Sequence, residues 1–259
     1  MSVFGIPVGV AKKIEKLQRD FFWNDGISKK KIHAVDWVSV CKNKKDGGLG
    51  IGRMVDKGDS LMAKWIWRFG REHSSLWKNV ICAKYGLRNN ALMWEVEEFK
   101  LCFPFVKSIC RLFDSSRRSS IIIKEGFNSV VGSGESMSFW RELKWDSVPL
   151  NSAFPRIFAL ATNKVGVIRE FGSFVESEWV WNVRLCRPLF DWERDQWKNF
   201  LLSLQNVIVR KEIPDVLAWT FSPDAKFSVK SLGGLWKEIG GQEKVLIVHS
   251  CVKESALQK

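Results

Sequence analysis

Apolar positions recur at helical spacing through the first third of the chain. Val10, Ile14, Leu17 and Phe21 follow one another at intervals of four, three and four residues, which puts them on one face of a helix predicted over residues 8 to 23. Pro7 suits the first turn, and Asn24, Asp25 and Gly26 stop the element. Lys12, Lys13, Lys16 and Arg19 fall largely off that stripe, toward solvent or a polyanion. A short alternating segment runs from Ile32 to Val40, with Trp37 as a core anchor. Two helices are then expected. Asp59 or Ser60 caps the first and Gly70 follows its end; Ser74 or Ser75 caps the second and Gly86 follows it. Leu61, Met62, Trp65, Ile66 and Phe69 share a face of the first, and Leu76, Trp77, Val80, Ile81 and Tyr85 share a face of the second. Together they predict a helical hairpin whose tryptophans fill a core, with Lys64, Arg68, Arg71, Lys78 and Lys84 outside.

From about residue 119 the texture becomes β-like. Ser120 to Lys124, Phe127 to Val131 and Ser136 to Trp140 read as strand pieces, with Gly132, Ser133 and Gly134 as the turn of a small hairpin. Val148 to Leu160 reads as a packed connector. Asp191 is a cap for a helix carrying Trp197, Leu201, Leu204 and Ile208, and Leu217 to Phe221 with Lys226 to Lys230 suggests a second hairpin around Ser222 to Ala225. The fold class expected is α+β and predominantly helical, with a helical N-terminal region and small β-hairpins in the C-terminal half.

Composition narrows the chemistry. Forty-six per cent hydrophobic content and 14 tryptophans in 259 residues suffice for a buried core. The net charge of +13 is uneven: residues 12 to 88 hold 18 Lys and Arg against 8 Asp and Glu, the remainder 23 against 20. A local excess of that size attracts polyanions. The candidate nucleic-acid contacts are Lys12, Lys13, Lys16, Arg19, Lys29, Lys30, Lys31, Lys42, Lys44 and Lys45. No apolar run approaches the roughly 20 residues that span a bilayer, and the first ten residues lack a signal-peptide pattern, so the chain reads as intracellular and soluble, with no membrane partner.

Catalytic and metal chemistry find little support. Cys41, Cys82, Cys102, Cys110, Cys186 and Cys251 form no C-x-x-C pair, and most are expected as buried free thiols rather than zinc ligands. His33, His73 and His249 have no neighbouring acid, base or nucleophile pattern. The glycines from Gly47 to Gly52 match neither phosphate-loop pattern and read as a tight structural turn. No catalytic residue, metal or cofactor is assigned.

The segments IEKLQRDFFWNDG, KKKIHAVDWVSVCKNKKDGGLGI and LMAKWIWRFGREHSSLWKNVICAKYG, followed by VGSGESMSFW, FPRIFAL and SPDAKFSVKSL, resemble in order the reverse-transcriptase polyproteins of plant non-LTR (LINE-type) retrotransposons, over roughly residues 1 to 236. The matching stretch lies after the polymerase palm and leads into the reverse-transcriptase zinc-binding domain. The resemblance implies a basic, Trp-rich helical region over 1–118, a mixed connector with a β-hairpin over 119–190, an incomplete lead-in to the zinc-binding domain over 191–236 and a divergent or truncated tail over 237–259. Three departures stand out. No Asp-Asp dipeptide is present to hold the two metal ions of nucleotidyl transfer. Glu142 stands in the acidic place of an F-W-x-D-x-W tract, with one added residue before Trp145. Ala225 stands where the family commonly has glycine, which strains the turn if a positive φ is needed.

The function expected from these readings is that of a noncatalytic fragment of such a polyprotein, holding RNA or DNA by sequence-independent backbone contacts, not an enzyme by itself and nuclear if the resemblance extends to residence. The alternatives are a scaffold segment that packs on the palm of the parent polyprotein, or a functionless remnant of a decayed element. A hydrolase or ribonuclease H reading is the weakest.

Overall fold

The computed structural model describes residues 4–23, 35–93, 103–114 and 118–239 and resolves the chain into two compact units. Residues 1–68, 95–128 and 218–259 make the first; residues 69–94 and 129–217 make the second. In chain order the helices are α1 (Val8–Trp23), α2 (Trp37–Cys41), α3 (Met54–Arg71), α4 (Leu76–Tyr85), α5 (Pro104–Cys110), α6 (Arg118–Gly126), α7 (Phe139–Glu142), α8 (Leu150–Ala153), α9 (Pro155–Leu160), α10 (Arg194–Gln205) and α11 (Val229–Ile239). The strands are β1 (Phe127–Val130), β2 (Lys144–Trp145), β3 (Val148–Pro149), β4 (Gly172–Val175), β5 (Glu178–Trp181) and β6 (Val216–Trp219), paired β1–β6, β2–β3 and β4–β5. The protein is therefore α+β and mainly helical, as its patterning predicts. Among the described residues no helix is long and apolar enough to cross a membrane.

The first unit packs α3, α5, α6 and α11 around aromatic side chains. Met62, Ala63 and Ile66 of α3, Val106 and Ile109 of α5, and Ile122 and Ile123 of α6 are buried. Trp219 lies against Phe127, Phe221 and Phe227 with ring centroids 4.8, 5.3 and 5.0 Å away, and a Cβ on Gly126 would come within 2.2 Å of its ring. Glu15 of α1 accepts the Met54 amide at 3.0 Å, satisfying an orphan donor in the first turn of α3. Trp236 of α11 donates its indole N–H to the Ser60 hydroxyl at 2.9 Å.

In the second unit the core gathers Phe139 and Trp140 of α7 with Phe154, Ile157, Phe171, Phe200 and Leu204. Phe139 stacks on Phe171 with centroids 4.0 Å apart, and Trp140 stacks on Phe200 at 5.5 Å. Asp215, buried, holds the loop before α7: its carboxylate accepts the amides of Gly132, Gly134 and Ser136 at 2.7, 2.8 and 2.7 Å. Gly134 sits at φ +73°, which helps turn the N–H groups of these alternate residues toward one point. Lys78 of α4 is fully buried; its ammonium donates to the carbonyls of Phe69 at 2.6 Å and Ala91 at 3.0 Å and lies 4.4 Å from the Phe69 ring centre. Both hairpins turn through two residues with positive φ, Asp146 and Ser147 between β2 and β3 and Glu176 and Ser177 between β4 and β5. That is the turn whose twist matches paired strands.

Several local expectations are corrected. On α1 it is Ala11 that is buried, while Val10, Leu17 and Phe21 are exposed by 47%, 67% and 89%. The described part of the alternating segment, from Val35, holds the helix α2, and Ile32 lies outside the described residues. Helix α3 begins at Met54, ahead of Asp59 and Ser60, and keeps Gly70 inside it because a Cβ there would lie 2.7 Å from both Leu217 and the Leu92 carbonyl. Ser75 precedes α4 and Gly86 ends it at φ +65°, as expected, but Lys78 faces inward and Leu76 and Val80 outward. The segment Ser120 to Lys124 is helical: Ser119, Ile122, Ile123 and Gly126 are buried at helical spacing, so packing overrides the β propensity of three isoleucines. Ser138 to Trp140 provide one bridge residue and the start of α7, and β1 pairs with β6 instead.

Around Ala225 only the β6 arm is a strand. The Trp219 amide still donates to the Ala225 carbonyl at 2.9 Å, and Lys226 leads toward α11. Helix α10 follows a 3-10 turn at Asp191–Glu193, and Phe200 and Leu204 fill its buried face in place of Leu201 and Ile208. Of the described cysteines Cys82 is buried, Cys41 and Cys110 are half-buried and Cys186 is exposed.

Two substitutions test this account. Asp215→Asn places an amide donor against backbone donors and removes the charge that three N–H groups share, so urea unfolding of the second unit is expected to show a loss of about 3 kcal/mol. Ala225 has φ +52°, a conformation costly for any residue with a Cβ. Ala225→Gly is expected to raise the denaturant midpoint, a gain of about 0.5–1 kcal/mol after the entropy that glycine adds to the unfolded chain.

Candidate nucleic-acid interface

Helix α1 presents the first group of candidate contacts. At 100° per residue, Lys12, Lys13, Lys16 and Arg19 fall within a sector of about 120°, away from Ala11. All four are exposed. The exposed apolar residues Val10, Leu17 and Phe21 occupy the adjoining sector, so α1 offers solvent a basic stripe bordered by an apolar one. Lys44 and Lys45 are exposed on a 3-10 turn at Lys44–Asp46, and Lys42 is half-buried at the end of α2. Lys29, Lys30 and Lys31 lie outside the described residues.

The end of α1 and the glycine-bearing turn share a cavity of ≈ 460 Å³, lined by Phe22, Trp23, Lys42, Gly47, Gly48 and Leu49 among others. Trp37 is half-buried beside it, edge-on to Phe22 with centroids 6.2 Å apart. The turn does not cradle an anion with its backbone. The amides of Gly47, Gly48, Leu49 and Gly50 donate to the carbonyls of Lys44, Asn43, Val40 and Lys42, at 2.8 to 3.3 Å. A Cβ at Gly48 would come within 2.2 Å of the Lys42 carbonyl oxygen, so glycine is there for a close backbone crossing, as the structural-turn reading expects.

Other ionisable groups are engaged structurally. Burial, then the charge of Glu15, pushes the Cys41 thiol up, and burial does the same to Cys82, so both favour the unreactive protonated form. Burial, then Lys78 and Arg71, lowers His73, and burial lowers Lys78. Glu142 accepts the Ser129 hydroxyl at 2.8 Å and the Ser138 amide at 2.6 Å, which fixes the start of α7. Glu193, fully buried, receives a two-pronged contact from Arg187 at 2.7 and 2.9 Å, the Arg156 Nε–H at 2.8 Å and the Phe190 amide at 2.9 Å. The Arg187 guanidinium above all, with the Phe190 amide and Arg156, holds its carboxyl at about 2 against the upward push of burial. Among the described residues no three His, Cys, Asp or Glu side chains form a set able to hold a metal ion.

Sequence reasoning missed Asp215, Glu193 and Lys78, because their partners are backbone groups or arginines that composition does not single out. The one available signal was Gly132-Ser133-Gly134, a glycine pair with the geometry to gather amides around an anion, read instead as a hairpin turn.

The chain is similar to two proteins of Arabidopsis thaliana. One, named "Putative ribonuclease H protein At1g65750", is 27% identical over 242 residues, covering 89% of this chain and 35% of its own length. The other, named "Uncharacterized mitochondrial protein AtMg00310", is 30% identical over 86 residues, covering 33% of this chain and 56% of its own length. The chain thus spans about a third of the first relative and about half of the second. No family model matches the chain, and no solved structure matches it.

The Glu193 network makes a pH prediction. Its folded pKa lies below the ordinary 4.5, so the stabilisation is complete above about 4.5 and is lost as pH falls toward 2. In urea unfolding across an acid series, the advantage of the native chain over Glu193→Gln is expected to stay constant above about pH 5 and to narrow steadily below it.

Proposed function

We propose that this chain is a noncatalytic segment of a plant retroelement-derived polyprotein of the non-LTR reverse-transcriptase kind, and that it holds RNA or DNA by sequence-independent contacts to the phosphate backbone. The observation that carries the reading is the exposed basic stripe of α1, Lys12, Lys13, Lys16 and Arg19, in the same unit as the exposed Lys44 and Lys45. Cations on a rigid helix face position a polyanion without reading its bases. Similarity to two plant proteins supports the retroelement origin. The ribonuclease H in one relative's name describes a protein of which this chain covers 35%, and no such activity is proposed for these residues. The buried carboxylates Asp215 and Glu193 are engaged by backbone amides and arginines, which supports a structural role for them.

A second reading has its own observation. Val10, Leu17 and Phe21 form an exposed apolar stripe on α1, a surface suited to packing on another domain of a parent polyprotein.

Fluorescence anisotropy of the full chain with labelled single-stranded RNA and duplex DNA across a salt series separates the two. Backbone holding gives binding that weakens steeply with salt for both nucleic acids. Replacing Lys12, Lys13, Lys16 and Arg19 by Ala together is expected to flatten the slope of log K against log salt by about 3 if all four contact phosphates. No binding at low salt, or a slope untouched in the variant, overturns the backbone-holding assignment and leaves the packing surface.

A further inference from the structure

The second unit carries an aromatic and cationic surface that the N-terminal basic stripe does not explain. Phe190 and Trp192 flank Asp191 just before α10 and are exposed by 55% and 59%. Their ring planes lie 20° from parallel with centroids 6.4 Å apart. A guanidinium lies over one face of each ring: Arg187 is 4.1 Å from the centre of Phe190, and Arg156 is 5.3 Å from the centre of Trp192. Both arginines are fixed from below by the buried Glu193 carboxylate, which also takes the Phe190 amide. One buried anion thus sets the positions of two cations and the backbone that carries the rings.

The cluster is unusual for a surface. Large aromatic rings are ordinarily buried, and here two stand out side by side while their unit has a core in which Phe139, Trp140, Phe171 and Phe200 are almost fully enclosed. Holding them out does not require a flexible loop, because the Arg187–Glu193 contact is bidentate, Arg156 adds its Nε–H, and the carboxylate has no exposed surface. Such rigidity lowers the entropy lost when a flat ligand is captured. Arg156, Arg187 and Arg194 stand against Glu193 and Asp191, with Arg194 and Asp191 3.1 Å apart, which leaves one net positive charge next to the rings and suits an anionic ligand with a planar group.

We propose that Phe190 and Trp192 form a stacking platform for unpaired nucleobases, with Arg156 and Arg187 beside it to meet the flanking phosphates. Every base has a π face, so such a platform is tolerant of sequence, and it requires the strand to be single at that point. This deepens the nucleic-acid reading above and rests on it: phosphate contacts alone take single strands and duplexes alike, whereas the platform adds a preference for strands whose bases are free.

The test compares a short fluorescent oligothymidylate with an abasic strand of the same length, which keeps every phosphate and removes every base. The full chain is expected to bind the base-bearing strand roughly tenfold more tightly than the abasic one, within the range for aromatic stacking on a single strand. The paired substitutions Phe190→Ala and Trp192→Ala are expected to abolish that difference while leaving abasic binding unchanged; the urea midpoint falls only slightly, with the loss of the two arginine–ring contacts. Phe190→Leu with Trp192→Leu, which keeps apolar bulk without the large π faces, is expected to abolish it too. Equal binding of the two strands by the native chain overturns the platform while a salt-dependent affinity for both keeps the backbone reading. Retention of the preference in either variant assigns stacking to another surface and also overturns it. A platform serving a protein partner gives no base preference at all, and failure to bind either strand at low salt overturns both proposals together.

Discussion

The second unit depends on a carboxylate that is satisfied almost entirely by backbone. Asp215 takes three amides from one short loop, and those amides belong to residues that immediately precede the buried pair Phe139 and Trp140. A buried charge is tolerated only when its hydrogen-bonding capacity is met, and buried amides carry the reciprocal demand. Each therefore solves the other's problem. Further backbone contacts tie the same loop down: Arg169 donates to the Gly134 carbonyl, Arg210 to that of Gly132 and Ile168 to that of Met137. The aromatic core begins where the loop ends, so the position of Phe139 and Trp140 follows from how tightly the preceding turn is clasped.

The same device, an anion surrounded by oriented N–H donors, is absent at the glycine turn near Gly48, where the amides are consumed by neighbouring carbonyls. Glycine content alone therefore does not distinguish the two turns. What separates them is whether the bare backbone faces another peptide or a carboxylate. The exposed basic charge therefore resides in side chains of α1 and the Lys44 turn, while buried charge at Asp215, Glu193 and Lys78 is spent internally.

Where amphipathic order was strong and packing agreed with it, the sequence was legible. Helix α1 has the predicted bounds, α4 is framed by Ser75 and Gly86, and Ala225 has the positive φ that its place in the turn implied. Which face of a helix is buried was less legible. On α1 the small Ala11 permits close packing and the larger Val10, Leu17 and Phe21 point out, a choice that periodicity cannot make because the basic and apolar stripes are both regular. The isoleucine run of α6 misled through propensity, since its helical burial pattern depends on partners distant in sequence. The ten candidate contacts were legible as charge, and the structure adds that six of them, Lys12, Lys13, Lys16, Arg19, Lys44 and Lys45, are exposed. The Glu193 cluster was invisible because an acid among arginines is common in surface sequence and only its enclosure distinguishes it.

During synthesis the clasped loop leaves the ribosome well before its carboxylate. Asp215 lies 79 to 83 residues beyond Ser136, Gly134 and Gly132, a wait of roughly 4 to 17 s at 5–20 residues per second. Throughout that interval the loop amides are left to water and the following Phe139 and Trp140 have no fixed seat. The first unit waits longer, because its Trp219 and Phe227 come later still. Neither unit can close on its early segments alone, so the nascent chain displays Phe139, Trp140 and the aromatic residues of the first unit until its late segments arrive.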